Sequence, residues 1–220
     1  MKITYHGHSC LTIEMENGQR VMIDPFITGN PLSDLTAEEV KTDWLLITHG
    51  HSDHIGDMIP IAKENQATII SIVEIADYAN SRGVDSFGMN IGGKHAFPFG
   101  VVKFVHAQHS SSYEVDGIVQ YMGEPSGIII QAEGKTIYHA GDTAYFSDLG
   151  LLAEEFDIDV AFLPIGDNYT MGPEDAAKAA QTIRAKKVVP IHYNTFPVIE
   201  QDPESFVELL EDSEGKIMSV

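Results

Sequence analysis

Four side chains that can bind a metal ion occur within a stretch of six residues, directly after the apolar run 44–47. They are His49, His51, Asp53 and His54. Imidazole nitrogens and a carboxylate oxygen suit zinc and other first-row metals, whereas calcium and magnesium prefer shells of oxygen alone. The apolar run predicts a buried strand, so the polar residues lie where that strand ends. The pattern indicates a metal site.

The spacing of these four residues divides them between two positions. Residues two apart in an extended loop point to the same side, so His49 and His51 can converge on one ion. Asp53 and His54 come where the chain turns into a helix, and they would face a neighbouring position. Because a tetrahedral zinc ion needs three or four ligands, four residues cannot complete two sites. Further ligands must come from elsewhere in the chain.

Three later residues are suitable candidates, because each follows a strand-like run. They are His109, Asp142 and His192, which come after the runs 100–105, 135–138 and 187–191. The ends of strands form the rim at which α/β proteins usually build their sites. We therefore expect these three side chains to lie near the first four.

The chain resembles the metallo-β-lactamase superfamily, whose signature is the string His-x-His-x-Asp-His. A later single His, a Gly-Asp-Thr element at 141–143 and a Pro-Ile-His element at 190–192 follow in the expected order. The resemblance implies an α/β fold, the four-layer αββα sandwich. It also implies a dinuclear centre in which one metal is bound by His49, His51 and His109, the second by Asp53, His54 and His192, and both by a bridging Asp142.

Several other segments narrow the resemblance. The segments 1–10, 23–26, 164–168 and 192–197 are similar to those of a group of compact metal-dependent hydrolases, related more distantly to ascorbate-phosphate lactonases. The similarity runs from Met1 to beyond residue 200.

Four further residues are candidates for contact with the substrate or with the metal ligands. Asp24 ends a strand-like run and can orient a ligand imidazole. His8 either takes part in the site or is a hydrogen-bonded residue of the first hairpin. Asn168 and Tyr169 follow the apolar run 160–165 and could touch a substrate, although an Asn there could equally be a turn residue.

Composition narrows the class of protein. A chain of 220 residues with 43% hydrophobic residues is typical of one folded α/β domain, which we expect to span 1–220. No apolar run reaches the ~18 residues of a membrane-spanning helix. The opening lacks the apolar core of a secretion signal, and the single Cys10 cannot form an internal disulfide. We therefore expect a cytoplasmic protein.

The net charge of the chain indicates which kinds of partner are expected. Thirteen Lys and Arg against 33 Asp and Glu give a formal net charge of −20, which disfavours binding to nucleic acid. We expect a small-molecule substrate and no membrane partner. The sequence leaves open whether the protein forms a homo-oligomer.

The order of predicted elements suggests two mixed sheets, each covered on its outside by helices. The opening reads as a strand over 4–15, an Asn-Gly turn at 17–18 and a returning strand over 20–23. Helical spacing follows at 55–62, where Pro60 should confine or kink the helix. The other predicted elements are a strand at 67–70, a helix at 73–81, an antiparallel meander over 86–138, helices at 147–155, 173–185 and 203–211, and strands at 160–165 and 188–191.

The expected chemistry is hydrolysis. Two divalent cations, zinc being favoured and manganese or iron being alternatives, would lower the pKa of a shared water from 15.7 to roughly 7. Asp53 would orient that nucleophile or carry a proton to the leaving group, and the substrate would be an ester, lactone or phosphoester of a small molecule. The alternatives are a polynucleotide phosphodiesterase, an iron-dependent oxidoreductase on the same scaffold, and a noncatalytic metal-binding module.

Overall fold

The first β-sheet contains six strands in the order in which they follow along the chain. A computed structural model describes all residues, 1–220. The first three strands are antiparallel, and each later strand runs parallel to the one before it. The strands are β1 (Lys2–Tyr5), β2 (Leu11–Glu14), β3 (Arg20–Ile23), β4 (Trp44–Leu46), β5 (Thr68–Ile72) and β6 (Ser86–Met89).

The second sheet contains seven strands, and a separate two-stranded hairpin interrupts it in sequence. The strands are β7 (Lys94–Phe97), β8 (Gly100–His106), β9 (Ser112–Val115), β10 (Ile118–Tyr121), β11 (Ser126–Ala132), β12 (Lys135–His139), β13 (Val160–Pro164), β14 (Lys187–Ile191) and β15 (Glu214–Gly215). Strands β9 and β10 form the hairpin, and the others lie in the order β15-β14-β13-β12-β11-β8-β7. Pairing is antiparallel from β7 to β12 and parallel from β12 to β15.

The helices divide between the outer faces of the two sheets. They are α1 (Ser52–Ile55), α2 (Met58–Asn65), α3 (Val73–Ser81), α4 (Gly150–Glu155), α5 (Pro173–Ile183) and α6 (Pro203–Glu208), with 3₁₀ turns at Ser147–Leu149 and Pro197–Ile199. Helices α2 and α3 contact the first sheet. Helix α5 contacts β13 of the second sheet, and α4 and α6 pack against α5. None of the helices is long and apolar enough to cross a membrane.

Strand β11 shows how the layers are held together. Ile128 and Ile130 are buried in a core that both sheets share, whereas Ile129 lies in a second core with Ala179 and Ile183 of α5. Successive strand residues face opposite sides, so one face of this sheet packs on the other sheet and one packs on helices. Each fully buried Ile contributes about 1.5–3 kcal/mol. The predicted αββα order of layers is confirmed.

The predicted strand over 4–15 is wrong, because the chain turns between β1 and β2. Gly7 and His8 have φ angles of 87° and 57°, and the amide of Cys10 donates to the carbonyl of Gly7 over 3.0 Å. Such left-handed conformations are incompatible with a strand. The alternating pattern of side chains continued across a turn that it could not reveal.

The predicted antiparallel meander over 86–138 is wrong at its start. Residues 86–89 form β6, which pairs in parallel with β5 in the first sheet after the crossover through α3. A strand of only four residues has no sequence pattern that indicates which of the two sheets it joins. The predicted helices at 173–185 and 203–211 end earlier, at Ile183 and Glu208.

Pro60 does not kink its helix. Gly56, with φ of 42°, separates α1 from α2. Pro60 therefore lies in the first turn of α2, where a backbone amide has no partner within the helix, and its missing N–H costs nothing.

Candidate metal centre

The structure brings all seven predicted ligands together at one edge of the two sheets. His49 and His51 lie in the loop after β4, and Asp53 and His54 lie in α1. The other three follow the ends of β8, β12 and β14, and they are His109, Asp142 and His192. The shared edge explains how residues more than 140 positions apart reach one another, since parallel strands end at the same side of a sheet.

Three histidines form a first group. Nε2 of His49 lies 3.1 Å from Nδ1 of His51, and Nε2 of His109 lies 3.3 Å from the same atom. Oδ2 of Asp142 is 3.8 Å from Nε2 of His49 and 3.5 Å from Nε2 of His109. Four ligand atoms within 4.8 Å of one another can surround a single ion.

A second group lies on the other side of Asp142. Nε2 of His54 is 3.2 Å from its Oδ1, and Nε2 of His192 is 3.1 Å from its Oδ2. Oδ2 of Asp53 lies 3.7 Å from Nε2 of His192. The carboxylate of Asp142 therefore stands between the two groups, which is the position that a bridging ligand requires.

The chemistry of the donor atoms fits a metal. Nε2 of His54, Nε2 of His192 and Oδ1 of Asp142 are buried and have no hydrogen-bond partner. Unpaired buried polar atoms are costly, at about 1–3 kcal/mol each, and native proteins rarely leave several of them together. A divalent cation would satisfy all three atoms at once.

Asp24 and Thr48 set the orientation of two ligand imidazoles. Asp24 is fully buried, and its Oδ2 accepts a hydrogen bond from Nδ1 of His54 at 2.7 Å and one from the hydroxyl of Thr48 at 2.6 Å. Because the Thr48 hydroxyl donates its hydrogen bond to Asp24, its oxygen is left as an acceptor, and Nδ1–H of His49 donates to it over 3.0 Å. Both imidazoles consequently direct Nε2 towards the centre.

His8 lies directly behind Asp53. It is fully buried, Nε2 donates to Oδ2 of Asp53 over 3.0 Å, and Nδ1 lies 2.9 Å from the hydroxyl of Thr195. Both ring nitrogens therefore have protein partners. His8 nevertheless lies close to the second group, with a ring nitrogen within 4.8 Å of the ligand atoms of Asp53, His54 and His192. This pairing favours a role in holding Asp53 over a role as a metal ligand.

Three buried residues of the centre adopt left-handed backbone conformations. The φ angles are 57° for His8, 46° for Asp24 and 55° for His192. Such a conformation costs roughly 1–3 kcal/mol for a residue with a side chain, and it persists only where surrounding contacts enforce it. One such contact joins two of these residues, because the amide of His192 donates to the carbonyl of His8 over 2.7 Å.

The first group is neutral near pH 7. Burial lowers the pKa of His49, His51 and His109, and repulsion from neighbouring imidazoles lowers each of them further. Neutral imidazoles are the form that binds a metal.

In the second group, neighbouring carboxylates raise the pKa of the imidazoles. Burial opposes charge on His192, but Asp142 beside it raises the pKa of His192 to about 9. The pKa of His54 is likewise raised against the effect of burial, by Asp142 and Asp24. Burial also opposes the charge on Asp142, yet the two imidazoles hold the pKa of this carboxyl well below its usual range.

Zinc binding to the metal-free protein is expected to release protons at pH 7. His192 has a pKa of about 9 instead of 6.5, so a proton occupies the ring below pH 9 and a metal must displace it. Affinity should therefore increase with pH, by about tenfold per pH unit for each proton displaced, between about pH 6 and about pH 8. Calorimetry in two buffers of different ionisation enthalpy measures this release. A binding enthalpy that does not depend on the buffer would contradict it.

A cleft of about 920 Å³ opens above the centre. Asp53, Asp142, His51, His109 and His192 form part of its wall. Tyr169, which is 56% exposed, also lines the cleft, so its contact with a substrate stays a prediction. Asn168 is exposed and does not line it, so the structure gives no support to a substrate contact at Asn168.

The sequence did not reveal the residues that brace the metal-binding loops. The amide of Gly50 donates to the hydroxyl of Ser111 over 3.0 Å, and a Cβ at Gly50 would lie 2.3 Å from Cβ of Met122. His139 donates from Nε2 to the carbonyl of Ser9 and accepts at Nδ1 from the amide of Gly141. It thus supports the turn that carries Asp142 and does not enter the cleft. Isolated Gly, Ser and His residues carry no sequence signal for such contacts.

Comparison with known proteins agrees with this geometry. The model of a family described as "Beta-lactamase superfamily domain" matches residues 2–192, which include all seven candidate ligands. A UPF0173 metal-dependent hydrolase of Enterococcus faecalis is 61% identical over 208 residues, covering 94% of this chain and 93% of that protein. One of Anoxybacillus flavithermus is 60% identical over 221 residues, covering 100% of this chain and 97% of that protein.

A solved structure gives the same result in three dimensions. Igni18, described as a novel metallo hydrolase from the archaeon Ignicoccus hospitalis, superposes with a TM-score of 0.89 at 40% identity. The match covers 99% of this chain and 94% of that one. The fold and its cluster of histidines and aspartates define a metal-dependent hydrolase with the metallo-β-lactamase fold. Within the β-lactamase superfamily, the chain belongs to the UPF0173 metal-dependent hydrolases. The resemblance seen in the sequence motifs is confirmed.

Proposed function

We propose that this protein hydrolyses an ester, lactone or phosphoester bond of a small molecule at a dinuclear metal centre, with zinc the favoured metal. The observation that carries the proposal is the convergence of five imidazoles and two carboxylates beside one cleft, which three of the imidazoles and both carboxylates line, with unpaired nitrogen and oxygen atoms buried among them. His49, His51 and His109 would hold one ion and Asp53, His54 and His192 the other, with Asp142 shared. When bound, two such cations supply an acidified water and polarise the bond to be cleaved.

Asp53 is the residue best placed to move a proton. Its side chain is 23% exposed and lines the cleft, and its Oδ2 accepts the hydrogen bond from His8. Burial opposes its ionisation, but the nearby imidazole of His192 and the hydrogen bond from His8 hold the pKa of Asp53 well below its usual range. Asp53 is thus a carboxylate at neutral pH, and it can accept a proton from the attacking water and deliver it to the leaving group.

The remaining residues orient these groups. Asp24 fixes the ring of His54, Thr48 fixes that of His49, and His8 fixes the carboxylate of Asp53. Partners of this kind typically change metal affinity or activity by 10–100-fold. No Ser or Cys nucleophile is required in this scheme.

The experiment that tests the function is a substrate panel with metal-loaded protein. Esters, lactones, phosphomonoesters and phosphodiesters are offered to protein loaded with zinc, manganese or iron. We expect turnover of at least one class, and loss of that turnover with a chelator. Background rates for every class with each metal verifiably bound would contradict the proposal. Oxygen uptake measured beside the panel would identify an oxidoreductase.

Metal removal is expected to lower the melting temperature as well as the activity. A ligand that binds only the folded state, at about a thousand times its Kd, stabilises the protein by about 4 kcal/mol. At about 2–4 °C per kcal/mol for a chain of this size, the melting temperature should fall by roughly 10 °C. Calorimetry before and after verified chelation measures the change, and re-addition of zinc should reverse it. An unchanged melting temperature would show that the centre binds no metal tightly.

A further inference from the structure

The cleft above the centre contains four carboxylates, but its basic side chains are all histidines of the metal centre. None of its 16 lining residues is Lys or Arg, and four of them are acids, namely Asp53, Asp57, Glu114 and Asp142. A negative group on the substrate beyond the reach of the metals would therefore find no cation to pair with, and it would be repelled by the wall.

Three of these four carboxylates already take part in contacts within the protein. Asp53 and Asp142 belong to the metal centre. Oδ2 of Asp57 accepts hydrogen bonds from the amides of Ile27 at 3.2 Å and Thr28 at 2.7 Å, and so braces the neighbouring loop. Structural roles thus account for all the acids of the cleft except Glu114.

Glu114 has no partner in the protein. It lies on strand β9, is exposed, and makes neither an ion pair nor a side-chain hydrogen bond, although it lines the cleft. Its charge is consequently free to act on whatever enters.

Aromatic rings surround the same space. Phe26, Tyr169 and Phe196 all line the cleft, and the rings of Phe26 and Phe196 lie 6.2 Å apart. The faces of aromatic rings attract cations and also pack against apolar groups. Aromatic rings together with a free carboxylate are the groups that recognise an organic ammonium ion.

We infer that the non-reacting part of the substrate has an apolar body and carries no negative charge, with an ammonium group preferred over a neutral group of the same shape. Glu114 is the residue that determines this preference. The inference rests on the proposed function, because it concerns the substrate of the same centre. It favours esters and lactones with a neutral or cationic tail over substrates with a second anionic group.

The test uses three acetate esters of matched shape with metal-loaded protein. Their alcohol parts end in a trimethylammonium group, in a tert-butyl group and in a sulfonate group. In the wild type we expect kcat/KM to fall in that order. Glu114→Gln should lower the ratio of cationic to neutral ester by several fold, and Glu114→Lys should lower it by roughly tenfold or more. Glu154→Lys, an equal change of charge at an exposed position of α4 outside the cleft, should leave the ratio unchanged.

A binding measurement separates this inference from the proposed function. The affinities of phenyltrimethylammonium and benzenesulfonate are measured by calorimetry for the metal-loaded wild type and for Glu114→Lys. The contribution of the metals is common to both proteins and cancels in the comparison. If Glu114→Lys lowers the ratio of cation affinity to sulfonate affinity by roughly tenfold or more, the inference stands even if no ester is cleaved, and only the proposed hydrolysis fails. If the substitution leaves that ratio unchanged, the inference is overturned whatever the turnover.

Discussion

Asp53→Ala is expected to lower kcat/KM by about 10³-fold or more on whichever substrate the panel identifies. The substitution removes the group that moves the proton, which alone typically contributes ~10²–10⁴-fold, and it also removes a candidate metal ligand. The effect on folding should be smaller, at roughly 1–3 kcal/mol, because Nε2 of the buried His8 loses its partner. Kinetics, metal content and the free energy of unfolding are measured on the same preparation.

Two other variants make this result specific. Asp53→Asn keeps the shape and an oxygen for His8 but not the charge, so it should restore stability without restoring turnover. Asp77→Ala removes an aspartate from an exposed position of α3 that makes no ion pair, and it should leave kcat/KM within a few fold of the wild type. Near-normal turnover of Asp53→Ala with both metals retained would contradict the role of Asp53.

Asp24→Ala is expected to lower the free energy of unfolding by about 3–5 kcal/mol, which is the usual cost of removing one partner from a buried charged pair. Asp24 is 0% exposed and accepts three hydrogen bonds, two from Thr48 and one from His54. Its loss leaves those donors buried and unpaired. Zinc affinity should fall by about 10–100-fold as well, because the ring of His54 loses its orientation.

Asp24→Asn is the matched control. Asparagine tolerates the left-handed φ of 46° and keeps one acceptor oxygen, so the variant should be more stable than Asp24→Ala. Chemical denaturation of the metal-free proteins and zinc titration measure both effects. Wild-type stability and zinc affinity in Asp24→Ala would show that the Asp24–His54 contact has no part in the centre.

The seven clustered residues could be found in the sequence because each follows the end of a strand. The string from His49 to His54 identifies itself by spacing, and His109, Asp142 and His192 stand after recognisable apolar runs. Apolar runs also predicted the two sheets and the outer helices, since burial and period are local properties of a sequence.

Long-range contacts could not be predicted in this way. His8 and Thr195 are 187 positions apart, yet their side chains meet behind Asp53. That contact depends on how two sheets pack and on left-handed turns at His8 and His192, where local pattern gives no information. Strand β6 was predicted to belong to an antiparallel meander but pairs in parallel with β5, because the partner of a four-residue strand is decided by tertiary packing. The lining of the cleft by Glu114 and Tyr113 likewise depends on where the hairpin of β9 and β10 folds.

The number of metal ions per chain tests the central claim most directly. Elemental analysis is carried out on protein saturated with zinc and freed of excess, beside His192→Ala and the exposed His95→Ala. The dinuclear centre predicts close to two ions per chain in the wild type and in His95→Ala, and about one in His192→Ala, where the second group loses a ligand while the first keeps its three histidines. One ion or none per chain in the saturated wild type would contradict the shared position of Asp142 between two metals.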